Sequence, residues 1–577
     1  MIVYRETQRS VEPGRLLREL ERSVAGLGAR PSHDAIVESL VDLGIAESAI
    51  LDAIHPTSDE ESELDRRFRT AAVSAGRLLV ESWRGRKSSL QQRGAELLAR
   101  IRAIRDLPLP SRCVTTVPEG FAHYGVWPEA YAASAERLFA ELRPIRAWVL
   151  GLRSIGAPLS AVVTAALEGS GCDVLSHTLR PRGHPFARRP VVGSQLTGRL
   201  RADASSAHFL IVDEGPGLSG SSFTGVAEAL ARLGVPDERI VLMPSWITDG
   251  AGLNSDLARR RWPRHPQFAT SFDSPWPAPA PPKCLRIGEQ TVDLSAGRWR
   301  ERLIGRGTPW PAVHPQHERR KLTAGGQWVA FAGLGKFGRR TFELQAGLAE
   351  AGFVPPPRAL EQGMLIRDMV QGTPLVAKDC DGALLARIAA YLSHRARHVR
   401  VKDDDREALR DMALSNVEEA LGGDLARAAE ERLRSSGFPG EAPAVALDAR
   451  MQPHEWLRTS SGMLKTDATD HHVDHFFPGC GDIAWDLAGA VVEFNLPEAA
   501  RDALTRQYRQ LSGDRTMARR LPGYLVAYLA FRTAYASLAA ETLANTDDGT
   551  RFATLSRRYI RMLRRELGAR TAAAARA

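Results

Sequence analysis

The sequence predicts a multidomain α/β protein, and three observations lead there. At 577 residues the chain exceeds what one hydrophobic core usually fills, so two to four domains are expected. Two short apolar runs, 147–151 and 209–213, each end in Gly or Asp and lead through a loop into a helical pattern. That is the rhythm of a parallel sheet. A proline-rich stretch, 273–283, then reads as a stiff linker. The expected layout is a helical region over 1–106, a parallel-sheet domain over 107–272, a linker over 273–299 and an α+β domain over 300–577.

Composition narrows the class. Apolar residues make up 44% and charged residues 25%, a globular balance. No run of eighteen uncharged apolar residues predicts a membrane span, and the first residues lack a basic stretch followed by an apolar one. The five cysteines (Cys113, Cys172, Cys284, Cys380, Cys480) lie far apart with no CxxC spacing. This argues against a disulfide framework or a thiolate zinc site, and the expected compartment is the cytoplasm. The net charge of +9 suits small phosphorylated metabolites as partners; nucleic acid as a partner rests on that charge alone.

Between about 14 and 106 apolar residues return every three or four positions, as in Leu16, Leu17, Leu20 and Val24, or Ile36, Leu40 and Leu43. Ser32 and Ser58 stand where helix caps are expected. No residue constellation there suggests chemistry, so packing or partner binding is the expected use.

The strongest chemical signal is Phe209–Phe223. A buried strand delivers Asp213 and Glu214 at its carboxyl end, placed to accept hydrogen bonds from vicinal hydroxyls. Gly215, Gly217 and Gly220 then alternate with Ser219, Ser221 and Ser222 into a helix. Glycines let the backbone come close, serines donate, and a helix N-terminus favours a phosphate dianion. This pattern resembles the PRPP-binding signature of type I phosphoribosyltransferases, with the loop about one residue longer than usual. The segment 149–158 resembles that family's first loop, which implies pyrophosphate binding by Arg153 and Ser154, with Gly151 and Gly156 permitting the turn. The basic segment 180–189, with Arg180, Arg182, Arg188 and Arg189, lies where the family carries a mobile flap. The resemblance implies Asp213 and Glu214 as catalytic residues, PRPP as co-substrate and Mg2+ as cofactor. The aromatic stretch 118–128 is read as core ahead of a base-stacking surface.

From about 300 onward the chain resembles the aminoglycoside-phosphotransferase-like kinases. The carriers are Phe331–Gly338, the hinge-like Met364–Leu375, Leu464–Asp467 and Gly481–Ala488. The resemblance implies ATP as a ligand, with Asp467 and Glu455 holding metal and Gly333, Gly335 and Lys336 binding nucleotide. Three places depart from the family. Arg450 stands at the catalytic-base position, Glu455 at the metal-binding Asn and Ala330 at the phosphate-binding Lys, with Lys321 or Lys336 as substitutes. Asp470, His471, His472, Asp474 and His475 crowd the segment after Asp467; hydrogen bonding on a polar loop is the expected role of the histidines.

Together these readings predict PRPP-dependent phosphoribosyl transfer to a small acceptor, coupled to a kinase-like nucleotide-binding domain. The alternative is a regulator that binds nucleotide or PRPP without turnover.

Overall fold

The computed structural model describes residues 1–5, 8–28, 31–270, 291–306, 309–402 and 406–574, without the side chains of 407 and 569–574. The proline-rich stretch 273–283 and Cys284 lie outside the described residues.

The N-terminal region runs β1 (Arg9–Val11), α1 (Pro13–Ala25), α2 (His33–Ile54), α3 (Glu63–Trp83), α4 (Leu90–Arg105), β2 (Cys113–Thr115) and, after one wide turn at Gly120–Tyr124, α5 (Pro128–Leu142). Ser32 caps α2 by accepting from the Ala35 amide at 3.2 Å. The cap of α3 is Ser62, not Ser58, because Ser62 and Asp65 close a reciprocal capping box. One apolar core runs from Leu17 and Leu40 through Phe68 and Leu159 to Phe331 and Met364. It crosses the boundary expected at 106, so the helices act as a cover packed on the sheet that follows.

That sheet comprises β3 (Arg146–Leu152), β4 (Asp173–Leu179), β5 (His208–Val212) and β6 (Ile240–Met243), all parallel in the order β4-β3-β5-β6. The connecting helices are α6 (Gly156–Gly169), α7 (Ser194–Ala202) and α8 (Ser221–Arg232), with α9 (Asp256–Arg261) after β6. Strand order reverses between β3 and β5, which opens a crevice at their carboxyl ends, the usual ligand position in such sheets.

A second sheet is antiparallel. It holds β7 (Val292–Asp293), β8 (Lys321–Ala324), β9 (Gln327–Phe331), β10 (Pro357–Glu361) and β11 (Met364–Asp368) in the order β10-β11-β9-β8-β7. α10 (Trp299–Leu303) precedes β8, and α11 (Lys336–Glu350) follows β9 and packs on β10 and β11. This unit begins at β7, inside the span expected to be linker. Past β11 the chain passes through β12 (Thr373–Pro374) into a helical lobe.

That lobe contains α12 (Gly382–His398), α13 (Glu407–Leu421), α14 (Gly423–Ser435), β13 (Val445–Ala446), β14 (Trp456–Thr459), β15 (Gly462–Lys465), β16 (Cys480–Gly481), α15 (Ala484–Glu493), α16 (Glu498–Ser512), α17 (Met517–Thr542) and α18 (Asp547–Ala574). Its apolar core is separate, centred on Tyr391, Trp456, Trp485 and Tyr528. Among the described residues no helix is long and apolar enough to cross a membrane.

Candidate functional site

Two places gather chemistry. In the crevice of the parallel sheet, Asp213 and Glu214 sit half-buried at the end of β5. Tyr131 of α5 donates to the Asp213 carbonyl at 2.7 Å and fixes the backbone there. Burial raises Asp213 to about 6, with the Glu214 and Gly156 amides pulling back. Burial, then the charges of Asp213 and Glu119, raise Glu214 to about 8. The Glu214 carboxylate packs on Gly120, where an added Cβ would come within 2.7 Å of it. Ser154 holds φ +110°, a costly conformation for a residue with a side chain, in the loop expected to bind pyrophosphate. The aromatic stretch 118–128 is core, with Phe121 and Trp127 buried.

The basic side chains expected at this crevice are engaged elsewhere. The Arg153 side chain is fully buried and pairs with Asp52 at 2.7 Å and with Asp59. Arg180 pairs with Asp52, its Nε at 3.1 Å, and its amide donates to Asp59 at 2.8 Å. Arg182 pairs with Asp59 at 3.1 Å and donates to the Pro56 carbonyl. A cover of α2 and its following loop thus neutralises three of the expected pyrophosphate ligands. Arg188 stays exposed and contributes charge at Asp213. The cavity left beside Ser154, Asp52 and Arg180 is about 30 Å³, room for about one water and not for a pyrophosphate.

The serine loop is also engaged. Residues 182–189 fold as a hairpin, with Arg182 and Arg189 exchanging backbone hydrogen bonds at 2.8 and 2.9 Å. Near its tip the Pro185 carbonyl accepts from Ser219 at 2.9 Å and Ser221 at 2.6 Å. Gly220 leads into α8 with φ +64°; Gly217 is exposed, and Ser222 is half-buried in the first turn.

The second place is a cleft of about 1100 Å³ between the antiparallel sheet and the helical lobe. Its floor is the segment 448–455. Asp486 of α15 accepts from the Asp448 and Ala449 amides, both at 2.8 Å, and so locks that loop. Lys465 reaches Glu455 at 2.7 Å and Asp448 at 3.3 Å. Glu455, Asp467 and His471 present ligand atoms within 4.8 Å of one another. Burial would raise Asp467, but His471, Lys321 and Lys465 outweigh it and hold the carboxyl well below its usual range. Burial raises Glu455 against the pull of Lys465.

Cations line the same cleft. Lys321 lies opposite Ala330 in the β8–β9 ladder, bonds Glu318 at 3.0 Å and adds charge at Asp467. Arg367 is buried on β11 over the Trp328 ring, with one NH group lacking a partner. Arg450 faces Tyr535, Glu455 and Asp467.

The expected nucleotide residues Gly333, Gly335 and Lys336 fall outside this lining. They form the β9–α11 junction and dock on the N-terminal cover. Lys336 pairs with Asp42 at 2.5 Å, Gly335 abuts Glu38 and Gly333 abuts the Ala122 carbonyl. Close backbone approach, not phosphate binding, explains those glycines. Arg367 and Arg532 escaped sequence reasoning, although Arg367 stands inside the hinge-like segment. Of the remaining polar run, His475 bonds the Tyr124 hydroxyl at 3.2 Å, which ties the helical lobe to the N-terminal cover.

No family model and no curated protein matches the sequence. Among solved structures, a choline/ethanolamine kinase family protein from Mesorhizobium loti is similar over 47% of this chain and 97% of its own, at 17% identity and TM-score 0.34. Choline kinase LicA from Streptococcus pneumoniae is similar over 47% and 98%, at 11% identity and TM-score 0.32. A spectinomycin phosphotransferase solved with ADP and spectinomycin is similar over 50% and 99%, at 10% identity and TM-score 0.33.

Proposed function

We propose that the cleft binds a nucleoside triphosphate with magnesium and passes its terminal phosphoryl group to a small acceptor. The observation that carries this reading is the pair Glu455 and Asp467 lining a cleft of about 1100 Å³ that Lys321 and Arg367 also line, with a His471 ring nitrogen within 4.8 Å of both carboxylates. The two carboxylates are hard oxygen donors suited to magnesium or manganese, whereas the His471 imidazole suits zinc, iron or nickel. A divalent cation on Asp467 and Glu455 would neutralise phosphate oxygens. The acceptor oxygen would bond to the terminal phosphorus as the bridging oxygen leaves with its electron pair on the diphosphate, the acceptor's proton passing to solvent water.

Arg450 favours a second reading. A guanidinium cannot take the acceptor's proton, so the cleft could bind nucleotide and report it without turnover. Calorimetric titration with ATP and magnesium, followed by an ATP-hydrolysis assay, separates the two. Binding with turnover supports transfer, binding alone supports the regulator, and no binding sinks both.

For the parallel-sheet crevice we retain binding of a phosphorylated ribose, PRPP included, on Asp213, Glu214 and the first turn of α8. Its support is the acidic pair at the strand-order reversal and the strained Ser154. It requires the Pro185 carbonyl to release Ser219 and Ser221. For PRPP it further requires Arg180 to leave Asp52, so that the cavity beside Ser154 can open for the pyrophosphate. PRPP affinity that is the same in the Asp213→Asn/Glu214→Gln double variant would remove this assignment.

A further inference from the structure

The wall of the cleft formed by the 448–455 segment, α17 and α18 carries more positive charge than its own carboxylates balance. Arg450, Arg532 and Arg558 line it with Tyr535, Tyr559 and Glu493. Glu493 already accepts from Tyr528 at 2.8 Å and from Tyr559 at 3.0 Å. Arg532 is buried; it donates to Tyr559 at 3.2 Å, while its Nε has no hydrogen-bond partner although Glu493 lies 3.3 Å away. Arg558 donates to the Val492 and Glu493 carbonyls, which are neutral. The Arg450 side chain makes no ion pair among the described residues; Tyr535, Glu455 and Asp467 attract it from a distance, and Arg532 acts on it as a like charge.

Holding like charges together at the edge of a cavity is costly unless something of opposite sign completes the set. Guanidiniums are matched by planar or tetrahedral oxyanions, which accept two N–H bonds at once. A cationic ligand would meet three guanidiniums, while Glu493 is engaged by two phenols and by Arg532. Glu455 and Asp467, which also face Arg450, are already held, Glu455 by Lys465 and Asp467 by His471, Lys321 and Lys465.

We propose that this arginine-lined wall is an anion subsite, which takes the phosphate monoester or carboxylate group of the second substrate. The proposal rests on the nucleotide reading for what lies beside it, and it deepens that reading by naming the acceptor class. Arg450, at the place where a base was expected, then binds the acceptor instead of deprotonating it.

The test is calorimetry with inorganic phosphate and, separately, succinate, each titrated into full-length protein saturated with magnesium and a non-hydrolysable ATP analogue. Saturable binding of either anion, weakened at least tenfold by Arg450→Gln and by Arg558→Gln, is the expected result; the anion that binds more tightly identifies the group. Phosphate binding that disappears once the ATP analogue is bound would assign these arginines to the nucleotide and overturn the proposal. Binding insensitive to both substitutions, or no binding of either anion, would also overturn it. If the analogue itself does not bind, the titrations are run on the free protein. Arginine-dependent anion binding there keeps the subsite while the nucleotide reading falls.

Discussion

Lys321 faces Ala330 directly across the β8–β9 ladder, which puts an ammonium beside the position where a phosphate-binding lysine was expected and is absent. A residue opposite on the neighbouring strand lies on the same face of the sheet. Lys321 therefore reaches the same side of the cleft, within electrostatic range of Asp467.

If that ammonium holds nucleotide phosphates, Lys321→Met weakens ATP binding by about 1.5–3 kcal/mol, roughly ten- to hundredfold. The double variant Lys321→Met/Ala330→Lys should recover part of the loss, because it returns the charge to the same face one strand away. Calorimetry checks both; unchanged affinity in the single variant would remove Lys321 from the site.

Asp467 makes a different prediction. Asp467→Ala takes one oxygen donor from a trio whose ligand atoms lie within 4.8 Å, so magnesium-dependent nucleotide binding should vanish. Lys336→Met removes the pair with Asp42 and a cation–π contact on Phe337, both outside the cleft, and should leave nucleotide affinity unaltered. Equal effects of the two substitutions on ATP affinity would sink the placement of the site.

What the sequence disclosed divides along sequence distance. Asp213 and Glu214 are legible because they follow a short apolar strand, and strand ends deliver side chains to crevices. Asp467, two residues beyond β15, is legible only through the kinase-like resemblance of Leu464–Asp467. The partners of Arg153, Arg180 and Arg182 are not legible. Asp52 and Asp59 lie about a hundred residues upstream on a cover whose docking only the fold reveals. The glycines at 333 and 335 look alike in a phosphate loop and in a tight helix junction, since both need a backbone without a side chain. Lys321 gains its meaning only from strand register.

The acidic pair predicts a pH dependence of stability. The folded values of Asp213 and Glu214 are raised to about 6 and about 8. Their contribution is therefore fully present below the usual carboxylate range and is lost as pH rises through those values. Glu214→Gln keeps a neutral group in place, so Tm should fall less between about pH 5 and 8 than in the parent protein. A parallel decline in both proteins would mean Glu214 is not protonated in the folded state.

Breaking the cover's buried ion pairs should be costly. Neither the Arg153 nor the Asp59 side chain is exposed, so Asp59→Asn leaves a buried guanidinium one carboxylate short. A loss of about 3–5 kcal/mol in unfolding free energy is expected, read from urea denaturation. A change below about 1 kcal/mol, the range of an exposed pair, would mean that Asp52 alone compensates Arg153.

Gly225 makes the clearest case for close approach. It lies inside α8, where replacing glycine by alanine ordinarily stabilises a helix by about 1 kcal/mol. Here an added Cβ would come within 2.2 Å of the Arg188 carbonyl, backbone that cannot swing aside as a side chain does. Gly225→Ala should therefore push the 182–189 hairpin off α8 and loosen the hold of Ser219 and Ser221 on Pro185. Trypsin then has freer access to Arg188, and cleavage of the Arg188–Arg189 bond should accelerate at least severalfold while cleavage elsewhere keeps its rate; the Arg189–Pro190 bond resists trypsin in either protein. Equal cleavage rates in both proteins, with the added stability of an ordinary helical alanine, would show that the hairpin does not rest on α8 through this contact.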